Sequence, residues 1–330
     1  MSIPRATLRT HRIIRTVASL VIIASIFAAW RFVNFSVLFD TVNANGYDPS
    51  VELQDIIANI RLTPAGDRIM RGTRAELQEA DAFNESCERS EEKIILLGCY
   101  ANNQIFVYNI DDRDLKGVRE ATLAHELLHA VWARTSVSER DALKVSLKSL
   151  YDENEDLQKH LKLYNESEFY DELHSIVGSQ IDNDLLPADL KAHYAKYFQD
   201  QNLIAKFYHK YNDNLTATEK RLDELEKIME SSGAALQTRL DAYNTANQKL
   251  SDDVATFNSK ASKGTMTEEE YNIGYADLTK RKEEMLAEYN AIQAAIEDYN
   301  VYVAEYNKYV VFTKKIYNSM DSKAKKPEAN

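Results

Sequence analysis

The chain has 330 residues and a formal net charge of -12, unevenly placed: residues 1–39 hold five arginines and no acid, so the rest carries 35 basic against 52 acidic residues. So acidic a body excludes a nucleic-acid backbone as partner, and the length leaves room for about two domains with a sizeable core. Nine glycines and five prolines are few for this length, which predicts a mostly helical α+β chain with few tight turns.

At the N-terminus Arg5, Arg9, Arg12 and Arg15 precede an apolar run from Val17 to Trp30. If Arg15 and Arg31 snorkel toward opposite surfaces, the stretch Ile13 to Val33 becomes a span of about 31 Å, the thickness of a bilayer core. No clean small-x-small cleavage site follows. The expectation is therefore an uncleaved transmembrane signal anchor over 16–39 behind a basic cytoplasmic tail over 1–15, with a removed signal peptide as the alternative. The arginines would stay inside, which puts everything after about residue 40 outside the cytoplasm and makes the membrane a partner through one helix.

Asn43 to Pro49 reads as a linker, and Ser50 to Ile57 opens a helix with acids in its first turn, which Thr63-Pro64-Ala65-Gly66 is expected to end. Arg71 to Asn84 suits a short helix or a turn-rich segment. Lys93 to Tyr100 has a buried-strand pattern, and Gln104 to Ile110 a second one beyond Asn102-Asn103. Asparagine pairs favour the positive φ angles of tight hairpins, so the two strands should pair antiparallel. The outer strand, Ile105 to Ile110, is expected to lie along a cleft and accept an extended peptide by main-chain hydrogen bonds, a plain core strand being the alternative. Cys87 and Cys99 lack CxxC spacing; their surroundings suggest a small loop closed by a disulfide, or else two free thiols.

Ala121 to Trp132 is the stretch around which the chain is organised. His125 and His129 are four residues apart, so on a helix they stack on one face and can share a tetrahedral zinc ion. Glu126 follows the first of them, beside the metal but not on it, where a general base for an activated water is needed. Lys116-Gly117 breaks the chain before this helix, and Ser136 and Ser138 follow it. Two structural histidines are the alternative.

Two histidines leave zinc short of a protein ligand, and the best downstream source is Asn165 to His174, where Glu168 and Glu172 face the same way one turn apart. His125-Glu126-x-x-His129 followed by Glu168-x-x-x-Glu172 resembles the gluzincin class of zinc metallopeptidases, and Asn165-Glu166-x-Glu168-Phe169-Tyr170-x-Glu172 is similar to the second metal helix of lethal-factor-type peptidases. The resemblance covers roughly residues 90–180 and implies Glu168 as third ligand, with Glu172 holding a ligand histidine by its outer ring nitrogen. Glu172 as the ligand is the alternative, with His174 a minor one. Lethal-factor-type enzymes stabilise the developing oxyanion with a tyrosine seven residues before the glutamate, a position that is Leu161 here; Tyr164, Tyr170 and His174 are near enough to substitute. The chain as a whole is also similar to bacterial membrane-anchored proteins carrying the same Leu-Gly-Cys-Tyr, Val-Tyr-Asn-Ile and Leu-Ala-His-Glu-Leu-Leu-His signatures, to which no substrate is assigned.

Leu190, Tyr194, Tyr197 and Phe198 recur at helical spacing and read as core. From about residue 200 apolar residues recur at threes, fours and sevens until Ser262-Lys263-Gly264-Thr265; Thr267 to Glu270 then forms a capping box for a final helix. Two long helices with a tight connection predict an antiparallel coiled-coil hairpin over 200–320. The recurrent Tyr-Asn pairs read as its seam, or alternatively as a carbohydrate-binding aromatic strip, and 321–330 as a disordered tail. The expectation as a whole is a membrane-anchored, outward-facing zinc metallopeptidase acting on a protein or peptide, with a zincin-like domain over 40–199 and an arm for an envelope or protein partner. Its rivals are a non-catalytic structural or adhesion protein with a degenerate zincin domain, and a zinc amidase acting on cell-wall peptides.

Overall fold

The computed structural model describes residues 35–87, 95–162, 164 and 167–324, of which 77% are helical. In chain order the elements are α1 (Phe35–Asn43), α2 (Val51–Asn59), α3 (Pro64–Gly72), β1 (Glu76–Gln78), α4 (Ala80–Ser86), β2 (Gly98–Ala101) and β3 (Gln104–Tyr108). They continue with α5 (Val118–Arg134), α6 (Val137–Glu153), α7 (Glu155–Leu161), α8 (Phe169–Gln180), α9 (Ala188–Tyr194), α10 (Gln201–Ser262) and α11 (Glu268–Met320). The mostly helical α+β expectation therefore holds. Contacts divide the chain into two units, Met1–Asn212 with Asn318–Asn330, and Asp213–Tyr317.

Local chemistry sets the element ends. The Ser50 hydroxyl caps α2 by accepting from the Leu53 N–H, and Thr63 caps α3 by accepting from Gly66. Thr63-Pro64 thus starts a helix instead of ending one, because proline is at home in a first turn whose N–H has no partner. Asn102 and Asn103 have φ of 52° and 64° and make the tight turn between β2 and β3.

The sheet has the order β1-β3-β2, with β1 parallel and β2 antiparallel to β3. The expected antiparallel hairpin holds, but its expected outer strand is corrected. β3, covering most of Ile105 to Ile110, is the middle strand with both edges paired; β2 is the edge strand of the hairpin. The short β1 escaped the sequence pattern because three residues carry no readable alternation. A disulfide joins Cys87, at the end of α4, to Cys99 on β2, with Cα atoms 5.9 Å apart. Of the first expected strand, Lys93 and Ile94 lie outside the described residues, Ile95 to Leu97 are not strand, and Gly98 to Tyr100 belong to β2.

α5 is the axis of the first unit. It packs against β2 and β3 on one side and α8 on another. Leu123, Ala124, Leu127, Leu128 and Val131 are buried with Ile105 and Val107 of the sheet and Leu173 and Val177 of α8. Leu190, Tyr194 and Phe198 complete this core, as their spacing predicts. Gly117 starts α5 with φ of +100°, and a Cβ there would lie 2.7 Å from the Phe207 carbonyl oxygen, so only glycine serves.

The membrane expectation is corrected here. No helix among the described residues is long and apolar enough to cross a membrane. Residues 1–34, which hold most of the expected anchor and the basic tail, lie outside the described residues. The remainder of the segment belongs to α1, which packs on α3 and holds Asp40 in a buried ion pair. Asp40, 1% exposed, takes three hydrogen bonds of 2.7–3.0 Å from the Arg134 guanidinium. The same guanidinium reaches Tyr100 and Asn103 at the hairpin turn. The charged pair fixes α1 just past the expected span, while Leu38 and Phe39 at the end of that span are exposed.

The second unit is an antiparallel helical pair. Arg221 meets Glu305, Arg239 meets Glu288 and Arg281 meets Asp253, so partners on α11 fall in number as those on α10 rise. Tyr243 packs on Tyr289 and Phe257 on Tyr271, which makes these tyrosines seam residues. Gly264 takes φ of +64° at the connection, and the Thr267 hydroxyl and Glu270 carboxylate cap each other's backbone N–H groups as the sequence predicts. The expected disordered tail begins too early. Ser322 is buried and donates to the Asn84 side chain while Asn84 donates to its carbonyl, whereas 325–330 lie outside the described residues.

Removing one partner of the Asp40–Arg134 pair leaves a buried charge unpaired. Asp40→Ala is expected to lower unfolding stability by about 3–5 kcal/mol, and Asp40→Leu with Arg134→Met by clearly less. Urea titration followed by circular dichroism checks both; equal losses would mean the pair is not what holds α1.

Candidate metal centre

His125 and His129 lie one turn apart on α5, and their rings meet edge to face with centroids 4.8 Å apart. The backbone fixes the rings' spacing; their hydrogen bonds fix the tautomers. Asp171 of α8 takes the His129 Nδ1–H at 2.8 Å. His125 Nδ1 lies 3.3 Å from the Ser179 hydroxyl, which spends its own proton on the Ser175 carbonyl at 2.6 Å and so must accept from the ring. Both outer nitrogens are thus donors, and both Nε2 atoms are left with bare lone pairs.

Those Nε2 atoms face one another at 3.2 Å. Glu172 closes the group, with carboxylate oxygens 3.7 Å from His125 Nε2 and 3.6 Å from His129 Nε2. One of them, Oε2, is buried with no hydrogen-bond partner. The arrangement has acceptors on three sides and no donor, so it is completed by a cation or by a proton taken from water. Two ligands about 2.0–2.1 Å from one tetrahedral ion lie roughly 3.3 Å apart, close to the spacing observed. Among the described residues, His125, His129 and Glu172 form the one such group able to hold a metal ion.

The electrostatics point the same way. Burial opposes charging His129, but the Asp171 hydrogen bond and the charges of Glu126, Glu172 and Asp171 outweigh it and raise the ring to about 9. Burial raises Glu172, yet the two histidines bring it below the ordinary carboxylate range. Both shifts express one attraction: the site wants positive charge. Glu126, by contrast, is pushed up, first by burial, with His129 and His125 only partly offsetting it. A carboxylate raised in this way beside the cluster is suited to taking a proton.

The structure takes the cluster's carboxylate from Glu172 and not from Glu168. Glu168 is the N-cap residue of α8, outside the helix, whereas Glu172 is one turn in and faces α5. Asp171 and Ser179 hold the outer ring nitrogens, the task expected of Glu172. Neither was evident in sequence, although Ser179 lies seven residues beyond Glu172 on the same face of α8.

His174 is corrected on both of its expected roles. It is fully buried, with Nε2 3.0 Å from His193 Nε2, and His193 Nδ1 lies 3.3 Å from Glu139. Glu139 makes His193 a donor at Nδ1 and an acceptor at Nε2, so His174 supplies the shared proton. The proton between the two rings needs no metal, and the other ring nitrogen of His174, Nδ1, is buried without a hydrogen-bond partner. Tyr170 stacks edge-on against Phe169 beneath the Lys144 ammonium, 5.4 Å from its ring. The Tyr164 phenol is pushed up, first by burial and then by the charges of Glu172, Glu126 and Glu168.

Comparison with family models, curated proteins and solved structures gave no match. One divalent metal ion per chain is expected to bind, to be lost in Glu172→Gln and to remain in Glu168→Gln. Asp171→Asn should weaken binding by about 10- to 100-fold. Elemental analysis and competition with a chromogenic chelator check this, and undiminished affinity in Glu172→Gln would remove Glu172 from the site.

Proposed function

We propose that this chain is a zinc-dependent peptidase of the gluzincin kind, using His125, His129 and Glu172 as ligands and Glu126 as general base. The observation that carries the reading is the acceptor-only cluster of two imidazoles and a carboxylate with a second, proton-accepting carboxylate beside it. When bound, the zinc ion supplies a water acidified to about neutral pH and a Lewis acid for the substrate carbonyl. Glu126 takes the proton of the attacking water and passes it to the leaving amine. Tyr164, kept neutral by its surroundings, has a hydroxyl proton to offer the oxygen on which negative charge develops.

The edge strand suits a peptide. Tyr108 donates to the Leu97 carbonyl at 2.8 Å, so by antiparallel alternation Cys99 and Ala101 also turn toward β3, while Gly98 and Tyr100 direct their N–H and C=O groups to the open edge. An extended substrate would add there as a further strand, with side chains in alternate directions. β2, not β3, takes the role first given to the outer strand.

Glu126→Gln should keep zinc at wild-type stoichiometry and lower turnover of a peptide library by at least about 100-fold. Tyr164→Phe should lower kcat by about 100-fold with KM nearly unchanged. Mass-spectrometric detection of cleavage products measures both. Full turnover in zinc-loaded Glu126→Gln would end the peptidase reading.

A further inference from the structure

Strand β2 comes closest to the cluster's helix at Gly98. A Cβ built there would stand 2.6 Å from Thr122 Cγ2, 2.8 Å from Glu126 Cγ and 2.9 Å from Glu126 Oε1. Real side-chain carbons do not approach so closely, so any residue but glycine would have to displace both the Thr122 methyl and the Glu126 side chain or lift the strand from α5. Gly98 itself is buried, and its φ is ordinary. The position is thus glycine for space and not for backbone conformation.

The strand has little freedom to move away. Cys99, the next residue, is tied to α4 by the disulfide, and Tyr100 is held by Arg134 and Asn103. With the strand pinned at both following residues, the conflict falls on the side chain it faces. Glu126 is buried, and its Cγ and Oε1 occupy the space that a Cβ at position 98 would need, so the bare Gly98 backbone leaves room for the carboxylate where it rests.

We propose that Gly98 is a positioning residue for Glu126: the bare backbone of the pinned edge strand forms the wall against which the Glu126 carboxylate is set beside the metal cluster. The inference rests on the assignment of Glu126 as the base but needs no peptide turnover to test. Acetohydroxamate on the zinc-loaded full chain is a suitable probe, because it ligates zinc while exchanging a hydrogen bond with a carboxylate beside the ion. Its affinity therefore reads where Glu126 stands.

Gly98→Ala should bind zinc as tightly as wild type and acetohydroxamate about tenfold more weakly, the loss expected for one charge-assisted hydrogen bond. Glu126→Gln should show a similar loss, and the double variant no more than Glu126→Gln alone. Thr122→Ser removes the methyl nearest the new carbon, so Gly98→Ala/Thr122→Ser tests the same point in a variant with room to fold; it should still bind the probe weakly. Wild-type probe affinity in either alanine variant, losses that multiply with Glu126→Gln, or a parallel fall in zinc affinity would each overturn the proposal. Probe binding that depends on Glu126 and Gly98 in a chain that cleaves no peptide would leave this inference standing and remove the peptidase reading.

Discussion

Two imidazole nitrogens 3.2 Å apart, each ring held as a donor at its outer nitrogen and both faced by a half-buried carboxylate, draw something positive between them, a cation or a proton taken from water. This is the constraint on which the rest depends. It is imposed from outside the cluster, by Asp171 on one ring and by Ser179 on the other, each of which demands a proton at Nδ1. The buried pair His174–His193 is a control within the same molecule. There the outer nitrogen of one ring has no partner, a proton is free to sit between the rings, and no cation is called for.

The fold serves this constraint through a few contacts. α5 supplies both histidines and Glu126 from a helix buried along much of its length, and α8 supplies Glu172, Asp171 and Ser179 from the opposite side. β2 lies along α5 with its outer edge unpaired among the described residues, held by the disulfide and by the Arg134 network. Arg134 is the common member: it joins α1, the hairpin turn and the last turn of α5. Charge burial of this kind is justified by what it aligns more than by what it stabilises.

Sequence made part of this legible, and the division has physical causes. The spacing of His125, Glu126 and His129, the Asn102-Asn103 turn, the Thr267–Glu270 cap and the hairpin of long helices all follow from local periodicity and hydrogen bonding, and each could be read directly. The choice of Glu172 over Glu168 could not, because both point the same way on an ideal helix; what separates them is that α8 begins only after Glu168. The strand order was hidden for a similar reason: β1 is three residues long, and its pairing with β3 is a long-range contact. Gly98 carries a reason for being glycine that only the approach of β2 to α5 reveals. The apolar N-terminal run, read by itself, gave no sign that the chain just beyond it ends in Asp40 bound to Arg134.

X-ray absorption at the zinc edge of the zinc-loaded full chain tests the central claim most directly. The account predicts one ion per chain with two imidazole nitrogens and carboxylate or water oxygens at about 2.0–2.2 Å, and no sulfur. Failure to retain zinc, or a ligand shell with fewer than two imidazoles, would contradict it.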